Sequence, residues 1–456
     1  MHGSLPVFII GGNMKKTKLR ARFWVALTLF SFIGQVAWVV ENMYFNVFIY
    51  KMFRADAGDI SLMVAASAVA ATVTTLIIGA LSDKLGKRRI FIAGGYILWG
   101  ISILSFALIR TDIIEKIVPA TASAASVGVS LVIIMDCVMT FFGSSANDAC
   151  FNAWLTDSTD QTNRGSAEGV NAMMPLIAIL AVFGGFMPFD LDLPSSWVTI
   201  YAIIGAAVIA AGIAGFFLIR DNVKGPAEGA EGNYFANIFY GFRPSVVRRT
   251  PVLYATLAAF AVFGISIQIF MPYLILYYSV TLGMDNYVLV MAPAIIIAAA
   301  VTLAAGKCYD RFGFRATVIP ALAALAAGYT VLYFCRAVVP VFIGSLLMMS
   351  GYLAGAAVFG AMLRDNTPPR RAGMFQGLRI VGQVLIPGMI GPAIGAAVLR
   401  GAEKVVGDDG TASFVPNHNI FLAALVAAVL ILPLIAWVSA LVKKGSAAEV
   451  TENGKA

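Results

Sequence analysis

Long apolar runs alternate with short polar segments along almost the whole chain. An α-helix needs about 20 mainly apolar residues to cross a bilayer. Twelve runs of that length, bounded by charges or by Gly, Pro and Asn clusters, predict twelve membrane-spanning helices. They cover residues 23–50, 60–81, 89–110, 125–155, 166–187, 197–219, 253–279, 286–306, 315–335, 338–363, 373–399 and 417–442.

The longest polar interval, residues 220–252, separates the first six helices from the last six. We therefore expect an N-terminal segment (1–22), a first bundle (23–219), a central loop (220–252), a second bundle (253–442) and a tail (443–456). The loop stretch "YFANIFYGFRPSVVRR" mixes aromatic and basic residues, which predicts an amphipathic helix on the membrane surface. Met14, followed by "KKTKLRAR", is a more natural start than Met1, so the sequence allows residues 1–13 to be an extension.

Composition supports a polytopic membrane protein, because 60% of the 456 residues are hydrophobic and only 12% are charged. The net charge of +8 comes from Lys and Arg residues in short loops. Most of them fall on one side when both termini are assigned to that side. The positive-inside rule then places both termini and the central loop in the cytoplasm of a cell-membrane protein.

Other classes of function find little support. No basic groove with aromatic platforms indicates nucleic-acid binding, and four cysteines and two histidines lack metal or disulfide spacing. No nucleophile stands beside a base, and Gly86-Lys87 is not a phosphate loop because Leu81 replaces its first glycine. We expect no enzymatic activity and no cofactor. We do not expect a receptor either, because a receptor would typically carry an appended signalling domain. We also expect the protein to be a monomer.

The two halves of the chain repeat each other. "GALSDKLGKRR" after the second helix matches "GKCYDRFGFRA" 227 residues later, and "AWLTDSTDQTNRGSAEG" matches "AMLRDNTPPRRAGMFQG" at an offset of 208. Two six-helix halves related by repetition are typical of transporters whose solute site lies near mid-membrane between the halves.

The first of these stretches resembles the signature of the major facilitator superfamily between helices 2 and 3. Its positions are filled by Gly79, Asp83, Lys84, Gly86, Arg88 and Arg89. The second copy has Ala316 where the last basic residue belongs. The resemblance covers nearly the whole chain and implies an all-α fold of two pseudo-symmetric six-helix bundles that transports solutes by alternating access.

Three further stretches resemble glycoside–cation symporters and their sucrose-transporter-like relatives. They are "GQVAWVVENMYF", "GKRRIFIAGG" and "LTDSTDQTNRGSAEG". This resemblance implies symport of a sugar or glycoside with a cation. Melibiose-type symporters bind sodium through acidic residues on helix 2, but helix 2 of this chain has none before Asp83, so we expect coupling to protons rather than sodium.

Polar residues inside the helices mark the candidate site, because an ionisable side chain in a membrane costs about 2.5–3.5 kcal/mol or more. We predict that Glu41, Asp136 and Asp148 serve cation coupling. Residues predicted to bind the solute are Trp38, Asn42, Asn46, Gln268, Arg379 and Gln383.

Structural interpretations of the same residues stay open. The amides can be interhelical hydrogen bonds, Trp38 can be packing, Asp148 can be a gate, and Glu41 or Asp136 can form a static pair with Arg379. Polar residues recur at four-residue spacing on one face of a helix, as Asp136, Thr140 and Ser144 do on helix 4. Such polar stripes favour a hydrophilic solute, whereas the alternative, efflux of drugs or metabolites, favours aromatic cavities.

The repeated loops predict a gate on the cytoplasmic side. Asp83 and Asp310 each end a helix where the first turn of a helix of the other half begins, near Gly373 and Gly165 respectively. A carboxylate there can accept hydrogen bonds from free backbone amides. The predicted gate residues are Gly79, Asp83, Gly86, Arg88, Asp157, Arg164, Gly306, Asp310, Arg311, Gly313 and Asp365.

Overall fold

The computed structural model describes residues 18–117, 123–160, 163–221, 242–284, 286–367, 377–406 and 412–453. Eleven of its helices are long and apolar enough to span a membrane. The longest, Val288–Phe334, consists of two helices that meet at Gly313, whose φ of 79° is non-helical. The described chain therefore contains the twelve predicted spanning helices, in two halves of six.

The spanning helices are named α1 to α12 in chain order. In the first half they are α1 (Ala21–Phe53), α2 (Ala57–Leu85), α3 (Arg88–Leu108), α4 (Ala124–Ser158), α5 (Arg164–Phe186) and α6 (Pro194–Leu218). In the second half they are α7 (Pro251–Thr281), α8 (288–312), α9 (314–334), α10 (Val338–Asp365), α11 (Gly377–Leu399) and α12 (Asn419–Asn453, interrupted at Leu430). Most of these bounds agree with the predicted ones to within a few residues.

Shorter elements lie between the spanning helices. Thr111–Ile117 and Pro244–Arg249 are short helices, and β1 (Lys404–Val406) pairs with β2 (Ala412–Phe414) as an antiparallel hairpin. The hydrophobic pattern did not predict this hairpin. The first half of the predicted amphipathic stretch of the central loop, residues 234–241, lies outside the described residues, and its second half contains the short helix Pro244–Arg249.

The ends of α2 show how local sequence sets a helix boundary. At its start the Asp56 carboxylate accepts a hydrogen bond from the Asp59 amide, and the Asp59 carboxylate accepts one from the Asp56 amide. At its end Gly86 adopts a φ of 64°, a left-handed conformation that favours glycine. Gly86 and Gly313 occupy the same position in the repeat, so both loops owe their sharp turn to a glycine.

The repeat extends to the packing of the helices. In the first half α1 packs on α5 and α3 on α6, and in the second half α7 packs on α11. Between the halves, α2 packs along α11 and α5 contacts α8. Gly388 of α11 allows the first of these approaches, because a Cβ atom there would lie 2.6 Å from the Cβ atom of Ala68.

Four spanning helices contain a stretch of wider π-helix. These stretches are Val40–Tyr44 in α1, Ser144–Phe151 in α4, Tyr277–Thr281 in α7 and Val381–Leu385 in α11. Such stretches are rare and are frequently found at functional sites. Here they include or adjoin several candidate residues, and each changes the direction of the side chains that follow it.

The two halves are joined on the side opposite the chain termini, which we call the far side. Three hydrogen bonds connect described residues of the two halves there. The hydroxyls of Tyr44 and Tyr287 are 3.1 Å apart, the Tyr50 hydroxyl donates to the Phe414 carbonyl at 2.7 Å, and the Tyr273 hydroxyl donates to the Ala57 carbonyl at 2.9 Å. The far side is therefore closed in this structure.

Candidate functional site

Three oxygen atoms from three helices meet inside the first half. The Ser67 hydroxyl of α2 donates to Glu41 Oε1 at 2.7 Å, and the Thr140 hydroxyl of α4 donates to the same oxygen at 2.9 Å. The two hydroxyl oxygens are themselves 2.8 Å apart. Glu41 thus lies where α1, α2 and α4 come together, held by hydroxyl groups that the predicted site did not include.

Asp136 lies on α4 one turn before Thr140, on the same face of the helix. The Glu41 side chain is only 7% exposed and that of Asp136 only 2%. Glu41 Oε2 and Asp136 Oδ1 are both buried without a hydrogen-bond partner. Two carboxyl groups with free oxygen atoms thus share one buried position, which is costly unless a cation or a proton is bound.

Arg379 does not pair with either carboxyl group. Among the described residues, the ion pairs found are Lys51–Asp192, Arg88–Asp157 and Arg110–Asp112. The static pair considered from the sequence is therefore not present in this state. No group of three or more His, Cys, Asp or Glu within the described chain is placed to hold a metal ion.

Asp148 forms a separate position on α4. Its carboxylate accepts a hydrogen bond from the Ser144 hydroxyl at 2.9 Å, inside the π-helical stretch. Asp148 follows Asp136 by twelve residues, or about 18 Å at 1.5 Å per residue. It thus lies nearer the termini side, and the sequence-based choice between coupling and a gate remains open for it.

The candidates on α1 make mainly local contacts. The Asn42 amide donates to the Trp38 carbonyl at 2.8 Å, and the Asn46 amide donates to the Asn42 carbonyl at 2.8 Å. Asn42 is exposed, while Asn46 is buried with its amide oxygen free. The half-buried Trp38 ring packs against Trp99 with ring centroids 5.0 Å apart. Asn42 is therefore the member of this set best placed to meet a solute.

The candidates of the second half lie at two different depths. Gln268 and Gln383 are half-buried, and Gln268 adjoins Gly391 of α11. Gly388 of α11 contacts α2 at Ala68, next to Ser67. Arg379 precedes Gly388 by nine residues, so Arg379 lies about 13 Å closer to the termini side than this contact does. Its Nε atom is buried without a partner. The two glutamines are thus nearer to the level of Glu41 than Arg379 is.

The first-half gate residues form a buried ion pair. Arg88, only 4% exposed, donates from Nε to Asp157 at 3.3 Å and from Nη1 to the Ser82 hydroxyl at 2.5 Å. This ion pair joins the start of α3 to the end of α4. The side chains of Asp83 and Arg164 lie outside the described residues, as does Gly373.

The second-half gate residues are arranged differently. The Tyr309 hydroxyl donates to Asp365 at 2.5 Å, so a tyrosine takes the place of the Arg88 pair. Asp310 and Arg311 are exposed, and Asp310 makes no hydrogen bond to the described residues. Its predicted contact is with the start of α5 near Gly165, next to residues that lie outside the described ones, so it stays a prediction. Nothing lies within 4 Å of a Cβ atom placed on Gly306, and the nearest atom to one on Gly79 is 3.9 Å away.

Ser67 and the far-side tyrosines are functional candidates that the sequence pattern did not predict. Thr140 was expected on the polar stripe of α4 with Asp136 but was not among the predicted site residues. Ser67 is one of several small polar residues in an alanine-rich helix, and nothing in the pattern shows which helix it faces. The tyrosines look like ordinary interfacial aromatic residues in the sequence.

Residues 23–392 match the sequence pattern described as Major Facilitator Superfamily. No curated protein sequence matches the chain. Among solved structures, a D323A mutant of the nucleoside transporter NupG aligns with a TM-score of 0.69 at 11% identity, over 90% of this chain and 98% of that one.

Two more solved structures are similar over similar lengths. A bacterial homologue of the human lysosomal transporter Spinster, in an inward-facing and unoccupied conformation, gives a TM-score of 0.68 at 13% identity, over 92% of this chain and 98% of that one. The xylose transporter XylE from E. coli, in a partially occluded inward-open conformation, gives 0.65 at 14% identity, over 90% and 97%. At these identities the similarity concerns the fold.

The sequence match spans most of the chain, and the twelve helices form the two packed halves that the repeated loops predicted. The chain belongs to the Major Facilitator Superfamily of membrane transporters.

Proposed function

We propose that the protein is a secondary active transporter that moves a small hydrophilic solute, a sugar or glycoside, by alternating access coupled to protons. The observation that carries this proposal is the pair of buried carboxyl groups, Glu41 and Asp136, without a basic partner among the described residues. Protonation removes the cost of a buried carboxylate, so such a pair can bind and release a proton as access to water changes.

The class of solute is supported by the polar groups near the same level. Asn42, Gln268 and Gln383 offer amide donors and acceptors, which suit hydroxyl-rich solutes. Asn42 is held along its own helix by hydrogen bonds with Trp38 and Asn46. Arg379 lies closer to the termini side. The similar structures include a nucleoside transporter and a D-xylose–proton symporter, which are proteins that handle hydrophilic molecules.

The membrane orientation follows from the basic loops. We place both termini in the cytoplasm of a cell membrane, which makes the far side the outside. The tyrosine contacts close the far side. We therefore assign the structure to an inward-facing state, from which solute and proton would be released to the cytoplasm.

The coupling follows from where Glu41 lies. It is adjacent to Asn42, the exposed amide on the same helix, so a change in the charge of Glu41 is felt where the solute binds. When Glu41 is charged, movement of the first half past the second has to carry a buried charge within the membrane, which costs free energy. Protonation lowers that cost, so the halves exchange states most readily when the proton is bound.

The experiment is transport by the purified protein in proteoliposomes. A thermal-shift panel of pentoses, glycosides, nucleosides and cationic drugs first identifies a ligand. Accumulation of that ligand is then measured under a pH gradient, and under a sodium gradient, for the wild type and for E41Q and D136N. D112N, which removes an exposed carboxylate far from the pair, is the matched control.

We expect the pH gradient to drive accumulation in the wild type and D112N. E41Q and D136N lose accumulation but keep exchange of labelled for unlabelled solute, because exchange needs no net proton movement. Normal proton-driven accumulation in both variants would refute the coupling proposal. A response to cationic drugs with none to sugars or nucleosides would replace the solute class with that of an efflux transporter.

A further inference from the structure

The β-hairpin between α11 and α12 is a far-side element that the proposed function does not use. Its strands, Lys404–Val406 and Ala412–Phe414, pair antiparallel, and the Val415 amide extends the pairing by donating to the Glu403 carbonyl at 2.8 Å. A two-stranded hairpin is marginally stable at best in water. The contacts that this hairpin makes with the helices therefore decide where it lies.

The second half holds the hairpin at its base. The Thr281 hydroxyl, at the end of α7, donates to the Pro416 carbonyl just after the second strand. The Phe414 ring lies edge-on to the Tyr273 ring of α7, with the ring centroids 6.2 Å apart. These contacts lie within one half, and the hairpin is joined covalently to α11 and α12 of the same half. A movement of one half past the other therefore leaves them intact.

Tyr50 joins the hairpin to the first half. Its hydroxyl, in the last turn of α1, donates to the Phe414 carbonyl at 2.7 Å, and the two rings meet edge-on with centroids 5.2 Å apart. Among the described residues, this is the hydrogen bond that connects the hairpin strands with the first half. Phe414 is only 5% exposed, whereas the Val405 side chain of the same hairpin is 59% exposed. Phe414 is thus enclosed between one tyrosine of each half.

Phe414 lies at the junction of the two halves. Next to it, the Tyr273 hydroxyl donates to the Ala57 carbonyl of α2 at 2.9 Å, so α7 also touches the first half here. When the halves part on the far side, Tyr50 moves with the first half and Phe414 with the second. The contact between them has to break in every opening.

We propose that the hairpin is a latch on the far side. It travels with the second half, packs Phe414 against Tyr50 when the far side is closed, and has to leave Tyr50 before the far side opens. The proposal rests on the proposed function only for alternating access, and it holds for any solute and any coupling ion.

The size of the effect follows from the two parts of the contact. Burial of a whole phenylalanine side chain shifts an equilibrium by more than roughly tenfold, and Phe414 keeps its contact with Tyr273 after opening, so we expect Phe414→Ala to raise the open fraction roughly tenfold. Tyr50→Phe keeps both rings and removes one neutral hydrogen bond, which corresponds to roughly two- to tenfold. Val405→Ala is the matched control and should change nothing, because this exposed side chain belongs to the same hairpin.

Far-side labelling measures the open fraction without any solute. The probe is a membrane-impermeant maleimide added on the far side of oriented proteoliposomes, and the target is a cysteine placed at the exposed Asn42 of a protein without its native cysteines. We expect the labelling rates to rise by these factors. Unchanged rates in both variants, or an equal rise in Val405→Ala, would overturn the latch. Tyr50→Phe carries the test if Phe414→Ala does not fold, because it leaves the packing intact.

Pulsed electron paramagnetic resonance shows which half carries the hairpin. One spin label is attached to Val405→Cys, and the second to a cysteine at the exposed Leu108 of the first half or the exposed Val339 of the second half. Each pair is measured with and without Tyr50→Ala, which removes the contact on the first half and leaves the contacts of the hairpin with the second half.

We expect Tyr50→Ala to add a longer distance between positions 405 and 108 and to leave the distance between positions 405 and 339 unchanged. The opposite pattern would mean that the hairpin stays with the first half, and it would overturn the latch. Unchanged distances in both pairs would overturn it as well, because the hairpin would then not part from the first half.

These measurements separate this inference from the proposed function. The expected labelling rates and distances in a protein that accumulates no solute would leave the latch intact and refute the proposed transport. Proton-driven accumulation with unchanged labelling rates in Phe414→Ala and Tyr50→Phe would do the opposite.

Discussion

Tyr44 and Tyr287 offer a direct way to change the balance between the two states of the transporter. Their hydroxyls are 3.1 Å apart in a buried contact between α1 and the start of α8, on the far side. Phe183 packs edge-on against both rings, so little water is available to replace a lost partner. Replacing both tyrosines by phenylalanine removes the hydrogen bond but keeps the packing.

The magnitude follows from what each variant leaves behind. A neutral hydrogen bond contributes a net 0.5–1.5 kcal/mol, so the double variant weakens far-side closure by about 1 kcal/mol, or roughly fivefold in the equilibrium. Each single variant leaves one hydroxyl buried without a partner, which costs about 1–3 kcal/mol. We therefore expect Y44F and Y287F alone to open the far side at least as much as Y44F/Y287F does.

The assay is the labelling rate of a cysteine placed at the exposed Asn42, in a background without the four native cysteines. A membrane-impermeant maleimide is added on the far side of oriented proteoliposomes. The control is Y278F, because Tyr278 bonds to Ser345 within the second half at 2.5 Å and its loss does not separate the halves.

We expect the labelling rate to rise about fivefold in Y44F/Y287F, since the rate follows the fraction of molecules open on the far side. The singles should rise by at least that factor, and Y278F should stay at the starting rate. An unchanged rate in the double variant, or an equal rise in Y278F, would refute the idea that this contact holds the far side closed.

Two further predictions concern the repeated loops. Gly313→Ala should lower the melting temperature more than Gly86→Ala does. The φ of 79° and ψ of 179° at Gly313 are almost restricted to glycine, whereas an alanine in the left-handed conformation of Gly86 costs only about 1–2 kcal/mol. Gly94→Ala, which has open space around it, is the control, and an equal loss of melting temperature there would contradict this prediction. Arg88→Ala should destabilise the protein by up to about 3 kcal/mol, because it removes this ion-pair partner from the partly buried Asp157. Thermal unfolding of the variant at the wild-type temperature would show that the pair contributes no stability.

Much of the fold is predictable from the sequence because its cause is local. A run of apolar residues long enough to cross a bilayer must become a helix, since its backbone groups find no water there. The two loop glycines are local as well, because only glycine readily adopts the conformations found at Gly86 and Gly313. The internal repeat then implies two similar halves.

The candidate site is only partly predictable, for a different reason. Glu41 and Asp136 stand out in any sequence because ionisable residues are rare within apolar helices. Ser67, the partner of Glu41, does not stand out, and it reaches Glu41 and Thr140 only because α2 packs against α4 in one particular rotation. Likewise, nothing in the sequence shows that Arg88 meets Asp157, 69 residues further along the chain.

The sequence by itself determined the twelve helices, the repeat and the buried carboxyl groups, since length, composition and residue type act along the chain. Tertiary structure alone decided which hydroxyl groups meet Glu41 and which side of the protein is closed. The physical reason is that contacts between helices depend on their rotation and crossing. The π-helical stretches in α1 and α4 alter that rotation at the site, and a regular period of about 3.6 residues does not anticipate them.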